Sequence, residues 1–404
     1  MIKTDQRVSS ASRRRPNVPS LIAAAIDGDH VSGLTHNFYR YPARFSPRLA
    51  RAVIEEFTQP GDVVFDPFMG GGTTLVEAMA LGRRAVGTDI SSLATFVSTT
   101  KTTVYTAREL KRLRLWLVVA RDAINMHSSA PRHATHPHSG YQRHLDRDAT
   151  WRLRKCIEQA VAGATLLGAD RLECFARCVV LRTAQWALDG RKHFPDVDGF
   201  RNMLMTFGEE MLDGARNFAA AVTETPGVAS ANCLNRSAAG IESDATISSS
   251  GAPRLVLTSP PYPGIHVLYH RWQIQGGKET PAPFWVANRL DGSGSSYYTM
   301  GGRTAQNLTS YFDQLRAALE SVARVSDETT TIVQVVAFSD PSWQLPRYLS
   351  VADDAGLREF RLRGLSGARD GRLWRTVPNR KWYADQRGST NGSQEVVLFH
   401  HRRA

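Results

Sequence analysis

Thr258-Ser259-Pro260-Pro261-Tyr262 follows directly on the apolar run Leu255-Val256-Leu257. A strand that runs into two prolines cannot continue its ladder, because proline donates no N–H and fixes its own φ. Backbone carbonyls are left pointing outward there, with an aromatic ring beside them. Such a place suits a flat heterocycle bearing an amine, whose N–H bonds need acceptors and whose face needs a stacking surface. The same five residues also make a plain loop exit. Their meaning therefore depends on what the rest of the chain brings to them.

A second constellation lies upstream. Val63-Val64-Phe65 predicts a strand, followed by Asp66-Pro67-Phe68-Met69-Gly70-Gly71-Gly72-Thr73-Thr74 and a helical run from Leu75 to Leu81. Arg84 to Thr88 predicts a second strand closed by Asp89, 23 residues after Asp66. In such a βαβ unit the glycines let backbone approach a ligand closely, and a carboxylate ending the second strand accepts from ribose hydroxyls. Three glycines alone make only a tight turn; strand, acid, glycines, helix, strand and acid in this order predict a nucleoside site.

These two stretches must be carried by a sheet. Ser46-Pro47 opens a helix, with Ser as N-cap, Pro in the first turn, and Leu49, Val53, Ile54 and Phe57 as its apolar face. From Val104 to Ala221 the pattern is helical, in segments Leu110 to Ile124, Trp151 to Leu167, Arg171 to Leu188 and Met203 to Ala221. Strand signals return at Val228 and at Leu255 to Leu257, with Ser248 to Gly251 read as a loop. Tyr269 to Trp272 reads as helical, and a Gly/Pro-rich segment from Gly276 to Gly302 as a loop over the site. Leu308 to Ala323 predicts a helix, Thr330 to Phe338 a buried strand, and Glu395 to Phe399 a final strand. The expected organisation is α/β: a basic arm (1–20), a cofactor half (21–104), a helical insertion (105–225) and a catalytic half with a basic C-terminal segment (226–404).

The 404 residues carry 50 Lys+Arg against 38 Asp+Glu, a net charge of +12. Between Arg358 and Arg403 stand 11 basic and 4 acidic residues. A polyanionic partner, most simply nucleic acid, accounts for this balance economically. In that region Trp374, Arg375, Arg380, Lys381, Trp382 and Arg387 interleave rings with cations, a pattern that suits phosphates and bases. The alternative is a hairpin whose tryptophans pack on the sheet. Arg271, after the proline motif, joins the candidate DNA contacts.

No apolar run approaches the ~18 residues of a membrane span. Leu21 to Ile26 is too short for a signal peptide, so an intracellular protein is expected. The four cysteines form no C-x-x-C pair, and Cys174 and Cys178, four apart on a helix, read as core. His127, His133, His136 and His138 share a polar loop without carboxylate or thiol ligands at suitable spacing, so no metal is expected.

With both motifs in view, the chain resembles the S-adenosylmethionine-dependent DNA methyltransferases that modify exocyclic amines, making N4-methylcytosine or N6-methyladenine. The likeness is dense over residues 35–100, including Thr35-His36-Asn37-Phe38 and Phe45-Ser46-Pro47, and looser from Val228 onward. It implies a doubly wound, mostly parallel, Rossmann-like sheet interrupted by the helical insertion. It further implies S-adenosylmethionine as cofactor, with Asp66, Phe68, Gly70 and Gly72 on its methionine side and Asp89 on its ribose. Thr73 and Ile90 complete that set, and His36, Phe38, Phe45 and Pro47 shape the pocket's far side. Ser259, Pro260, Pro261 and Tyr262 would hold the target base.

In this family Ser at the first position of the four-residue motif goes with cytosine, and Asp or Asn with adenine, so Ser259 points to N4 of cytosine. The family's Gly-Asp-Ala-like strand end is represented only by Ala231-Asn232-Cys233. The motif order resembles subgroups that carry a target-recognition region between the halves, which makes the helical insertion a candidate reader of sequence.

An amine nucleophile needs no covalent thiolate, and Cys233 lacks the Pro-Cys context that C5-cytosine methylation uses. The partner implied is duplex DNA with the base rotated out, alongside restriction or defence proteins. Three other readings stand beside this one: an N6-adenine DNA methyltransferase, an RNA base-amine methyltransferase, and an idle nucleic-acid-binding component of a defence complex.

Overall fold

The computed structural model describes residues 16–27, 32–41, 46–128, 140–263, 271–275, 277–292, 298, 300, 305–365, 370–377 and 393–403. The expected arm is shorter than 1–20. Asn17 accepts from the Ser20 amide and caps α1 (Val18–Ile26), which places the last residues of that stretch in a helix. Ser46 likewise caps α2 (Pro47–Phe57), accepting from the Leu49 amide at 3.4 Å.

Next come β1 (Val63–Asp66), α3 (Thr73–Ala80), β2 (Arg84–Asp89) and α4 (Ser92–Thr102), with β1 and β2 parallel from Val63↔Arg84 to Asp66↔Gly87. Four helices then intervene: α5 (Ala107–Ala123), α6 (Trp151–Thr165), α7 (Asp170–Leu188) and α8 (Val197–Glu224). A capping box between Thr106 and Glu109 starts α5. The chain returns to the sheet at β3 (Ser230–Asn235), which pairs with β2 in parallel. Asn232, opposite Val86, lies mid-strand, and Asn235 holds the strand end, donating to the carbonyls of Asp89 and Ile90 at 3.0 Å each.

The stretch expected as a loop at Ser248 to Gly251 instead holds the second half of α9 (Ala245–Ser250). Asp244 caps it by accepting from the Thr246 amide, and Gly251 at φ +78° ends it. The cap sits outside the serine run that looked unstructured, so propensity of the run alone misleads.

After β4 (Leu255–Thr258) the helical expectation for Tyr269 to Trp272 also gives way. Tyr269 and His270 lie outside the described residues. Trp272 begins β5 (Trp272–Ile274), which pairs antiparallel with β6 (Lys278–Thr280). Tertiary contacts decide this: the Trp272 indole donates to the Tyr39 hydroxyl at 3.2 Å, and the Gln273 amide to Asp189 at 2.9 Å. Then follow α10 (Ala282–Ala287), α11 (Ala305–Val325), β7 (Thr331–Ala337), α12 (Pro341–Asp354), β8 (Leu357–Phe360), β9 (Leu373–Val377) and β10 (Ser393–Arg402).

The sheet order is β3-β2-β1-β4-β7-β10-β8, with β9 on β10. β3, β2, β1, β4 and β7 are parallel, while β10 runs antiparallel to β7, β8 and β9. Alternation within the strands feeds two cores. Leu255, Leu257, Val333 and Val335 face α1, α2 and α3, whereas Val256, Ile332 and Val336 face α11 and α12. A third core joins the four inserted helices to α4, to Phe38 and Tyr39, and to Trp272, Ile274, Phe284 and Trp285. The insertion thus does not close a core of its own, but shares it with the segment that follows the proline motif.

No helix among the described residues is long and apolar enough to cross a membrane. Among the same residues no group of three or more potential metal ligands comes together. His133, His136 and His138 lie outside them. Cys178 is buried, as a core residue should be, and Cys174 partly so.

Candidate active site at the carboxyl ends of the sheet

Strand order reverses at β1, which has β2 on one side and β4 on the other. Ligands of open α/β sheets bind in the crevice at such a reversal. Asp66 ends β1 and Thr258 ends β4, and the Thr258 hydroxyl donates to Asp66 Oδ1 at 2.7 Å. The same oxygen accepts from the Phe68 amide at 3.1 Å, and the Thr74 hydroxyl donates to the Leu257 carbonyl at 3.3 Å. The two motifs, 192 residues apart in sequence, are therefore tied directly together.

The glycine loop between Asp66 and α3 has a definite shape. Gly70 (φ +45°) and Gly72 (φ +73°) both adopt left-handed backbone, which other residues enter at a cost. A Cβ on Gly72 would stand 2.7 Å from Ser98 Oγ, so α4 packs against bare backbone there. A Cβ on Gly70 would meet only the Phe68 carbonyl, at 4.0 Å, and so would project into open space. The Ser98 hydroxyl donates to the Gly70 carbonyl at 2.9 Å, and the buried Lys101 ammonium to the Gly71 carbonyl at 2.7 Å. Asp89 closes the other side, accepting from the Gly70 amide at 3.0 Å and the Ser91 amide at 2.8 Å.

Burial pushes the Asp66 carboxyl up to about 6, against the opposing hydrogen bonds from the Thr258 hydroxyl and the Phe68 amide and with a further upward push from Asp89. Asp89 is likewise raised to about 6 by burial, opposed by the Ser91 and Gly70 amides. Asp66 is only 4% exposed, while Asp89 keeps part of its surface open. Neither is in an ion pair with a cationic side chain among the described residues. Two desolvated acids flanking an open glycine backbone are matched by a ligand that brings positive charge and hydroxyl donors. S-adenosylmethionine, with its sulfonium, ammonium and ribose, fits that donor set.

At the end of β4, Pro260 is buried, Pro261 exposed and Tyr262 half-buried. The Tyr311 hydroxyl donates to the Pro261 carbonyl at 2.8 Å. Among the described residues no donor reaches the carbonyls of Ser259 and Pro260. Ser259 Oγ lies 3.0 Å from the Val335 carbonyl and 2.9 Å from the Tyr262 hydroxyl, which donates to Glu395 at 2.7 Å.

Other expected site residues fall differently. Phe68 and Ile90 are half-buried beside the loop, and Thr73 opens α3. His36 and Phe38 are buried in packing contacts: His36 Nε2 is 2.7 Å from Glu77 of α3, whose other oxygen accepts from Arg51, and Phe38 meets Phe175 of α7 edge-on at 5.5 Å. Pro47 is in the first turn of α2, and Phe45 lies outside the described residues.

The proposed DNA contacts need correction. Arg375 is 6% exposed, directly opposite Glu395 in the β9–β10 ladder and 3.5 Å from its carboxylate. Strand alternation turns this arginine inward, in keeping with the hairpin alternative for that stretch. Arg271, half-buried, is likewise taken up in an ion pair with Asp291. Arg380, Lys381 and Trp382 lie outside the described residues.

Sequence reasoning missed Ser98, Lys101, Tyr311 and Glu395. Nothing local marks the first three, since they act through helices that pack on the loops. Glu395, a single acid heading an otherwise apolar strand, was the one visible signal. A cationic cluster was missed too: Arg143, Arg147 and Lys278 surround His144, whose imidazole is held below its usual range by burial and by those three cations. Arg147 reaches Gln275 at 3.4 Å and so links the insertion to the β5–β6 turn.

A mostly parallel sheet in this order, with one antiparallel strand beside β7 and its crevice at β1 and β4, has the Rossmann-like fold of S-adenosylmethionine-dependent methyltransferases. Within it, residues 22–95 match the model of the N6/N4 DNA methylase family and carry that family's signature. Over 80 residues the chain is 35% identical to the type II methyltransferase M.MjaII of Methanocaldococcus jannaschii, covering 20% of this chain and 15% of that one. Over 82 residues it is 43% identical to the type II methyltransferase M.MvaI of Kocuria varians, covering 20% and 18%. The matched stretches are thus less than a fifth of these relatives' own length. The solved rRNA methyltransferase aviRa of Streptomyces viridochromogenes aligns over 90% of this chain and 89% of that one, at 12% identity and a TM-score of 0.37, too loosely to carry an inference.

Proposed function

We propose that the protein transfers a methyl group from S-adenosylmethionine to the exocyclic amine of a base in DNA, namely N4 of cytosine. The observation that carries this is the Thr258–Asp66 hydrogen bond, which fixes the amine-accepting loop against the cofactor crevice. When bound, the cofactor supplies a methyl on a sulfonium, already a good leaving group. What remains for the protein is to position the amine, orient its lone pair and exclude water.

The Ser259 and Pro260 carbonyls accept the two N–H bonds of the amine and draw its nitrogen toward tetrahedral geometry, which frees the lone pair. Tyr262 stacks on the base, offsetting by ~1–3 kcal/mol the few kcal/mol spent on taking it out of the duplex. Asp66 and the Gly70 backbone hold the methionine end of the cofactor, and Asp89 its ribose. Ser259 at the head of the loop favours cytosine over adenine. Equal amounts of duplex DNA, single-stranded DNA and structured RNA, offered with labelled cofactor, test the substrate class. Label in DNA alone is expected; equal or greater label in RNA would favour an RNA methyltransferase.

Cofactor affinity should depend on pH with a definite sign. Protonating Asp66 and Asp89 removes the charge that faces the ligand, so affinity is flat above pH 7 and falls as pH drops through about 6. Ligand-free stability moves the other way. Both folded-state values lie above the unfolded ~3.9, so the native chain binds the extra protons and these two groups add stability as pH falls from about 6 toward ~4. Calorimetric titrations between pH 5 and 8 check the first, and melts without ligand the second. A pH-independent affinity would contradict the assigned role of the two acids.

DNA backbone affinity is assigned to Arg143, Arg147 and Lys278, at the seam between the insertion and the hairpin that follows the proline loop. The contact across that seam supports the insertion, with the hairpin, as the candidate reader of target sequence. Replacing all three with alanine is expected to lower the slope of log affinity against log salt by about 2 to 3, at ~0.9 per phosphate contact. Fluorescence anisotropy with duplex DNA at several salt concentrations reads it out, and an unchanged slope would place the backbone contacts elsewhere.

A further inference from the structure

We infer that Tyr311 is a positioning residue for the base-amine site: its hydroxyl fixes the one ψ angle of the proline loop that no proline restricts, and so holds the amine-accepting carbonyls and the Tyr262 ring in a single geometry. The inference rests on the methyltransferase reading above and deepens it.

The sequence leaves that angle open. Pyrrolidine rings fix φ at Pro260, Pro261 and Pro263. A following proline confines ψ to extended values, and Ser259, Pro260 and Tyr262 each precede one. Pro261 precedes Tyr262 instead, so its ψ is free to take helical or extended values. That angle lies between the carbonyls of Ser259 and Pro260 on one side and the Tyr262 ring on the other.

The fold closes it. Upstream, the strand end is anchored by the Thr258 hydroxyl on Asp66 at 2.7 Å. Downstream, the Tyr311 hydroxyl donates to the Pro261 carbonyl at 2.8 Å. The carbonyl lies in the plane of the peptide that joins Pro261 to Tyr262, so holding it sets ψ of Pro261. The donor is itself held firmly: Tyr311 sits in the second turn of α11, is 2% exposed, and meets the Phe312 ring edge-on at 5.1 Å. Burial, with smaller pushes from Tyr348 and Tyr262, keeps its hydroxyl well above the usual tyrosine range, so it donates at every working pH. The bonds from the Tyr262 hydroxyl to Ser259 and Glu395 fix the tip of that ring, whereas Tyr311 fixes the backbone at its root.

Three successive carbonyls, of Ser259, Pro260 and Pro261, stand at this strand end, and Tyr311 takes the third. The two that remain match the two N–H bonds of an amine. Without the Tyr311 hydroxyl the Pro261 carbonyl is free to turn, and the loop holds the reactive arrangement for only part of the time.

The test is Tyr311→Phe in the full chain, which removes the hydroxyl and keeps the ring. It is expected to lower kcat about tenfold or more. The loss should be the same from about pH 7 to 9, as befits a group that positions without exchanging a proton. KM for DNA, calorimetric affinity for S-adenosylmethionine and melting temperature should stay near their wild-type values. Wild-type kcat would overturn the inference. So would a loss that changes with pH, or one carried by KM or by cofactor affinity. A collapse of the melting temperature would make Tyr311 a stability residue and overturn it as well. Wild-type protein that methylates no DNA would instead overturn the function proposed above.

Discussion

Asp66→Ala is expected to abolish cofactor binding and methyl transfer together. The carboxylate accepts from the Thr258 hydroxyl and the Phe68 amide, so removing it leaves two donors without their acceptor, at ~1–3 kcal/mol for each that stays buried. It also frees the end of β4 from the end of β1 and withdraws a negative charge from the cationic end of the ligand. A hundredfold or greater loss of affinity, about 2.7 kcal/mol, is the expected size. The fold should survive, because the wild-type carboxyl is itself held in an unfavourable, desolvated place that raises it to about 6. Calorimetry with S-adenosylmethionine and a thermal melt separate the two effects: binding lost, melting temperature nearly kept. Wild-type affinity in this variant would remove Asp66 from the cofactor site.

Tyr262→Ala should separate what Asp66→Ala joins. The ring is half-buried at the end of the proline loop and touches neither Asp66 nor Asp89 in any described hydrogen bond. Its loss forfeits ~1–3 kcal/mol of stacking on the target base. It also removes the donor that Glu395 accepts and the partner that Ser259 leans on. Methyl transfer is therefore expected to fall at least a hundredfold while cofactor affinity stays within a few-fold of wild type. Single-turnover kinetics and calorimetry on the same preparation measure both. Normal turnover would move the base site away from the proline motif.

The order of strand, acid, glycines, helix, strand and acid was legible because each step has its own local chemistry. Val63 to Phe65 is buried on both faces, Gly70 and Gly72 need positive φ, and Ser46 caps the helix it precedes. The proline motif was legible for the same reason, since no strand can run through Pro260 and Pro261. What could not be read is whatever depends on partners distant in sequence. Trp272 looked helical until Tyr39 and Asp189 took its indole and the next amide. Arg375 looked like a phosphate contact because composition shows charge but not facing, and the β9–β10 register turns it inward. Lys101 and Ser98 shape the glycine loop from a helix with no motif, and Glu395 reaches Tyr262 only because β10 is antiparallel.

That last strand also explains how one sheet serves two tasks. Parallel strands deliver Asp66, Asp89 and Thr258 to one edge by their carboxyl ends, as the fold requires. A reversed strand delivers its beginning to the same edge, and so adds an acid under the base site without lengthening any loop. The inserted helices share their core with Trp272, Phe284 and Trp285, which follow the proline motif in the chain.

The most direct measurement is to incubate the protein with duplex DNA and methyl-labelled S-adenosylmethionine, digest the DNA to nucleosides and identify the labelled one. N4-methylcytosine is the predicted product. N6-methyladenine alone would contradict the choice of base that Ser259 suggests, and 5-methylcytosine or no labelled nucleoside would contradict the exocyclic-amine mechanism itself.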